Sequence, residues 1–369
     1  MSDTQLDTSA AKKAFHAEDR GYSVSVGTPT FRIAMVVFAL LVVGLIVAPG
    51  FVGRSGIRDL MQIMLLIGLA QCWNLLAGYG GLISVGQQAF VGLGAYFMFY
   101  CIIYVGMDPL IAVIAATVGG AIISVPIGLL TFRMQGAYFA VMTWVVAEVF
   151  RILASIYPGL GGGTGTGLPR AATSEMFGIE ATATLFDMRS SSAREVVIYW
   201  AMLAAMLIVV FGSYWMLRSR RGLALMAIKD DEVAAESVGV DITRSKFIVY
   251  IFAGAGAALF GALYHLQKGG IDPNSAFSVI DWTAYVIFIV VIGGLGTVMG
   301  PIVGAIVFVL LQNYLSDFGP WYLMILGGLA IVMMLFAPQG LWGIFTERTG
   351  IELFPTRRRL SHTDGKDRQ

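Results

Sequence analysis

The run Asn74-Leu75-Leu76-Ala77-Gly78-Tyr79-Gly80-Gly81-Leu82-Ile83-Ser84-Val85-Gly86-Gln87-Gln88-Ala89-Phe90-Val91-Gly92-Leu93-Gly94-Ala95-Tyr96 carries no charged side chain, yet it does not read as one uniform helix. Its leucines, valines and aromatic residues suit hydrocarbon, but Gly78, Gly80, Gly81 and Gly86 interrupt its centre together with Ser84, Gln87 and Gln88. Each glycine weakens a helix by about 1 kcal/mol relative to alanine. In lipid, the backbone groups freed by such a break survive only where protein or a cavity covers them. The stretch therefore reads as a membrane helix broken inside a larger bundle. A second apolar stretch, 283–315, is interrupted in the same manner by Gly293, Gly294, Gly296, Gly300 and Pro301. The two breaks echo each other: Gly80-Gly81-Leu82 with Gly86, and Gly293-Gly294-Leu295 with Gly300.

Composition agrees with that reading. Of the 369 residues 57% are hydrophobic and 13% charged, with a mean hydropathy of +0.78. A soluble domain carries about 25% charged residues, so the bilayer is the natural solvent for this surplus. The 45 glycines fit helices that approach closely in lipid, where packing replaces the hydrophobic drive. The net charge of +1 by itself says nothing about nucleic acid, and the distribution of charge is what matters; no nucleic-acid partner is expected. Cys72 and Cys101 both fall in apolar stretches and read as buried thiols.

A span needs about 20 apolar residues. That ruler gives ten candidates, at 31–49, 60–77, 83–105, 109–132, 137–157, 196–217, 247–267, 283–293, 299–315 and 321–337. The fold class is all-α, a polytopic membrane protein of about ten helices with broken or re-entrant segments. Residues 1–30 read as a loosely ordered polar tail, and the apolar run after them as a retained first span. Lys and Arg set orientation. With the N-terminus inside, the inner segments hold Lys12, Lys13, Arg20 and Arg32, Arg133, the Arg218–Lys246 segment and the tail after Arg348. The outer ones hold only Arg54, Arg58, Arg170, Arg189, Arg194 and Lys268. Both termini are thus expected in the cytoplasm, with Arg357-Arg358-Arg359 as an anchor for anionic headgroups of the lipid bilayer.

Two connections are long. The outer one, 158–195, opens with the glycine-rich Pro158–Gly167, and either a partner contact or a plain connector fits it. In the inner one, 218–246, Asp230, Asp231 and Glu232 precede Val233-Ala234-Ala235-Glu236-Ser237-Val238-Gly239. Acids favour a helix N-terminus and glycine caps its end. The reading is a helix of about two turns with Ala234, Ala235 and Val238 on one small apolar face.

The spacing Glu232-x-Ala234-Ala235-x-x-x-Gly239 resembles the Glu-Ala-Ala loop of bacterial ABC-importer permeases. The 74–96 run looks like the signature of the branched-chain amino-acid permease family. Gly270-Ile271-Asp272-Pro273 running into Ile292-Gly293-Gly294-Leu295-Gly296, and Pro338-Gln339-Gly340-Leu341, support it in order and spacing. The resemblance covers roughly residues 33–345. It implies a permease subunit in the bacterial inner membrane, paired with a second homologous permease, two ATPase subunits and a periplasmic solute-binding protein. It also implies branched-chain amino acids as cargo, or urea and short amides as in close relatives. Asp231, Glu232, Ala234, Ala235, Glu236 and Gly239 then form the ATPase-coupling loop, and a bulky charged residue at Ala235 is expected to abolish uptake. The plan is a tail over 1–30, a permease domain over 31–345 and a basic tail over 346–369.

The chain supports that division of labour. It has no Gly-x-x-x-x-Gly-Lys-Ser/Thr phosphate loop, so no bound cofactor is expected, and ATP and Mg belong to a partner. No catalytic residue and no metal ligand set is assigned, since two of its 3 histidines, His16 and His362, lie in the tails. Asn74, Ser84, Gln87 and Gln88 are candidates for lining the pathway, or for hydrogen bonds between helices. Glu148 and Arg151, one turn apart, are expected to form a structural intramembrane pair. His265, near the outer end of its span, is expected to be a hydrogen-bonded or an interfacial histidine. The rival from another class is an ion-coupled secondary transporter, which has no use for a docking helix.

Overall fold

The computed structural model describes residues 22–25, 29–315, 319, 321–349, 353–354 and 359–362, except Glu175 and Met188. Among these, eight helices are long and apolar enough to cross a membrane, and two shorter apolar ones are Val36–Gly50 and Gly300–Leu315. They answer to the spans read from the sequence. The largest shifts are at Leu323–Thr349, which the sequence reading ended at 337, and at Pro273–Gly293, which it began only at 283.

Besides the short helices Arg170–Ser174, Ile179–Phe186 and Pro273–Ala276, the helices in chain order are α1 Pro29–Val47, α2 Arg54–Asn74, α3 Gln87–Tyr100, α4 Pro109–Thr131, α5 Ala137–Ile156 and α6 Ser190–Arg218. Then come α7 Arg220–Asp230, α8 Glu232–Ser237, α9 Ile242–Lys268, α10 Tyr285–Gly293, α11 Gly300–Leu315, α12 Trp321–Phe336 and α13 Gly340–Thr349. Strands are minor. β1 (Tyr22–Ser25) pairs antiparallel with β4 (Arg359–His362), and β2 (Thr166–Gly167) with β3 (Gly270–Ile271). Tyr22–Ser25 thus lies in a strand within the expected N-terminal tail. The rest of that tail before Pro29, with Arg357 and Arg358, lies outside the described residues.

Lipid gives no hydrophobic push between helices, so small residues decide which of them touch. α9 is the hub, packed against α2, α3, α4 and α6. A Cβ on Gly261 would lie 2.1 Å from the Val91 carbonyl oxygen, and one on Gly94 would lie 2.3 Å from the Ala258 carbonyl oxygen. The α3–α9 backbones therefore touch through two glycines. Gly256 lies beside Cys72 Sγ, and Gly68 beside the Phe260 ring. Cys72 and Cys101 are buried and free. Gly261→Val is expected to force these helices apart, at a cost of about 1–3 kcal/mol or more. It should lower the melting temperature of the detergent-solubilised chain, while Gly327→Val, at a position with open space around it, should not.

At one end of the bundle α2 and α6 are stapled side by side. Arg58 Nη2 donates to Glu195 Oε1 at 3.0 Å, and Arg54 Nη2 to Ser192 Oγ at 2.5 Å. At the same end Trp200 Nε1 donates to Ile46 O and Tyr199 to Leu45 O, which fastens α1. The 218–241 connection leaves from the far end of α6.

Candidate translocation core and coupling loop

The two broken stretches meet. α2 runs through one turn widened to π spacing, Leu75–Tyr79, and stops at Gly80; Gly81 then takes φ +68°. α10 stops at Gly293, followed by Gly294 at φ +130° and Gly296 at φ +75°. Asn74 clamps one break to the other. Its Nδ2 donates to Thr297 O at 2.8 Å, and its Oδ1 accepts from Gly296 N at 2.8 Å. The side chain is 0% exposed. A Cβ on Gly78 would lie 2.7 Å from Gly296 N, so the contact also needs glycine there.

Ser84, Gln87 and Gln88 are buried beside this clamp. The Ser84 carbonyl accepts from Trp73 Nε1 at 2.8 Å, and Gln87 Nε2 donates to Leu69 O at 3.0 Å. Gln88 Oε1 accepts from the Thr283 hydroxyl, joining α3 to the segment before α10. The side chains of Asn74, Gln87 and Gln88 thus bond another segment of the bundle, whereas Ser84 does so through its carbonyl and its hydroxyl accepts locally from Gly86 N at 3.2 Å. Polar capacity remains: Gln87 Oε1 and Gln88 Nε2 have no partner among the described residues, nor has either amide atom of Gln71. The sequence reading passed over Gln71. An amide in an apolar span, three residues before Asn74, was the available signal.

The inner connection is a compact unit. Ser219 caps α7 by accepting from Arg221 N, and Asp231 caps α8 by accepting from Val233 N and Ala234 N at 2.8 and 3.0 Å. Gly239, at φ +86°, ends the segment in the left-handed region, as acids before and glycine after the helix imply. Glu232 pairs with Lys246 at 2.5 Å, which ties α8 to the start of α9. One detail differs from the sequence reading. Ala235 does not share a face with Ala234 and Val238 but turns inward, 2% exposed, whereas Val233 and Val238 are 77% and 76% exposed. A six-residue helix pinned at both ends turns one face to α7, and Ala235 is on it. A charged residue at Ala235 would therefore test packing of the loop, not docking. Glu236 is on the exposed side.

At the opposite end, Arg151 Nε donates to both Glu148 carboxylate oxygens at 2.9 and 3.0 Å, and Nη1 to Asn274 Oδ1 at 3.0 Å. The pair is partly exposed and holds the segment before α10 against α5. The glycine-rich segment is not a free connector. Gly165 lies against Ile271 O, and β2 pairs with β3 there. His265 is 0% exposed, with Nδ1 donating to Gly270 O at 3.0 Å.

The comparisons with known proteins fit this arrangement. A family model described as "Branched-chain amino acid transport system / permease component" matches residues 57–337, from the first turn of α2 to just past α12. Over 329 residues the chain is 28% identical to the high-affinity branched-chain amino acid transport system permease protein LivM of Salmonella typhimurium, covering 85% of this chain and 75% of that protein. It is 26% identical over 305 residues to the ribose import permease protein RbsC of Bacillus subtilis, covering 80% and 88%. It is 27% identical over 316 residues to the galactose/methyl galactoside import permease protein MglC of Haemophilus influenzae, covering 80% and 90%. Such proteins are transporter permease subunits and are not themselves enzymes. On the extent of the family match, the chain belongs to the branched-chain amino acid transport system permease component family and is a multi-pass membrane permease of an ABC transporter.

Proposed function

We propose that this permease forms one half of the pathway of a binding-protein-dependent importer for branched-chain amino acids, in the bacterial plasma membrane with both termini cytoplasmic. The observation that carries the proposal is α8. Two large apolar side chains, Val233 on the helix and Val238 at its C-cap, stand in solvent although the helix is capped, ion-paired and packed from behind. Solvent does not reward that arrangement, whereas the groove of an ATPase does. The Lys and Arg around this loop support its cytoplasmic placement. Two ATPase subunits supply ATP and Mg, a second homologous permease completes the pathway, and a periplasmic binding protein delivers the solute at the Arg151 end.

Asn74, Ser84, Gln87 and Gln88 act in this scheme as ties that keep the broken helices in register, with the unpaired amide atoms of Gln87 and Gln88 free to meet a passing polar group. Alternating access follows when α8 moves and the glycine-rich contacts tilt. The branched-chain assignment leans on the names of LivM-type relatives, and sugar permeases at similar identity favour a second reading, a monosaccharide. ATP-driven uptake in proteoliposomes holding the full transporter tests both. Labelled leucine is expected to accumulate well above ribose and urea. Ribose uptake without leucine would move the cargo to sugars, and uptake driven by an ion gradient without ATP would overturn the ABC mechanism.

A further inference from the structure

Two helices end where α7 ends. The widened turn Leu75–Tyr79 closes α2 at Gly80, and α10 closes at Gly294. The unpaired carbonyls of a helix C-terminus carry roughly half a negative elementary charge. Two such ends repel, and more strongly where little water screens them. Asn74 nevertheless ties these two together. A cation stands at the same spot. A Cβ on Gly296 would lie 3.2 Å from the Gly78 carbonyl oxygen and 3.2 Å from Lys229 Nζ. Lys229 belongs to the last turn of α7, which packs on Leu75–Tyr79, and it has no carboxylate partner among the ion pairs of the described residues.

Lys229 is also two residues from Asp231, the cap of α8. Nothing slack separates them. Leu225 and Ile228 bury α7, a Cβ on Gly222 would lie 1.9 Å from Leu217 O, and the Glu232–Lys246 pair and buried Ala235 hold α8. A push on the exposed face of α8 therefore reaches the backbone that carries Lys229. Beside it stand the Asn74 amide and the uncharged backbone of Gly78 and Gly296, while the exposed Asp230 follows it in the chain. A positive charge beside the two helix ends is thus carried by the segment that bears α8.

We infer that Lys229 is a positioning residue for transport: its ammonium holds the C-terminal ends of α2 and α10 together in this conformation, and displacement of α8 lifts it off them and frees the two breaks to part. The inference rests on the docking reading of α8, so the experiment separates the two. Lys229→Cys is made in the full transporter, and solute moved per ATP hydrolysed is measured before and after alkylation. Cys72 and Cys101 are buried, whereas position 229 is exposed to reagent. The cysteine variant is expected to retain its ATPase partner but to lose about tenfold in solute per ATP, the size of the larger helix-terminus charge effects. Treatment with 2-bromoethylamine, which restores a terminal ammonium, should recover most of that ratio, and a neutral alkyl adduct should not. An unchanged ratio in Lys229→Cys, equal rescue by the neutral adduct, or loss of the ATPase from the complex would overturn the inference. Absence of an ATPase from the unmodified complex would instead overturn the docking reading on which it rests.

Discussion

Val233→Asp combined with Val238→Asp is expected to abolish uptake while leaving the chain folded and inserted. Both side chains are more than three-quarters exposed, so a carboxylate there costs the isolated chain little. In an interface the same change is severe. Truncating a buried apolar anchor costs about 2 kcal/mol or more, and an unpaired charge in its place adds desolvation. Two such sites predict loss of ATPase co-purification and at least a ~100-fold fall in uptake. The buried neighbour Ala235 provides the contrast. Ala235→Glu places a charge between α8 and α7 and is expected to reduce the yield of folded chain, which the Val233 and Val238 changes should not.

Asn74→Leu is expected to destabilise the membrane domain itself. Leucine fills a similar volume but leaves Gly296 N–H and Thr297 C=O without their partner at the meeting of two breaks. Each buried group left unpaired costs about 1–3 kcal/mol, a large part of a net stability of about 5–15 kcal/mol. The melting temperature in detergent should fall by roughly 5 °C or more, with uptake lost in parallel. Asn74→Asp keeps the acceptor for Gly296 N but loses the donor to Thr297 O and adds a negative charge beside two helix C-termini. It should be no better than leucine despite its closer shape. Wild-type thermal stability in both variants would show that the clamp is not what joins α2 to α10.

Much of this was legible in the sequence because hydrocarbon permits few solutions. Apolar runs of span length can only be helices there, and the doublets Gly80-Gly81 and Gly293-Gly294 end them where the chain indeed breaks. The acids before Val233 and Gly239 after Val238 likewise placed α8 and its left-handed end. What the sequence does not carry is direction and distance. A six-residue helix has no sustained periodicity, so nothing in Ala234-Ala235 says which alanine turns inward until α7 and α9 are packed behind it. The meeting of Asn74 with Gly296 spans 222 positions; both breaks were readable, but their contact was not. The β2–β3 pairing of the glycine-rich segment depends on a register between short, distant pieces that no local pattern encodes. The family resemblance pointed to amino acids or urea as cargo, and the equally similar sugar permeases widened the choice.

The central claim is that a separate ATPase drives this permease through α8. A photoreactive benzophenone amino acid at Val238, activated in intact membranes of cells making the whole transporter, tests it most directly. A cross-link from position 238 to a protein that carries a phosphate-binding Gly-x-x-x-x-Gly-Lys-Ser/Thr loop is the predicted result, lost when Val233 is also changed to aspartate. Cross-links only to lipid or to other parts of this chain, in membranes where uptake is active, would contradict it.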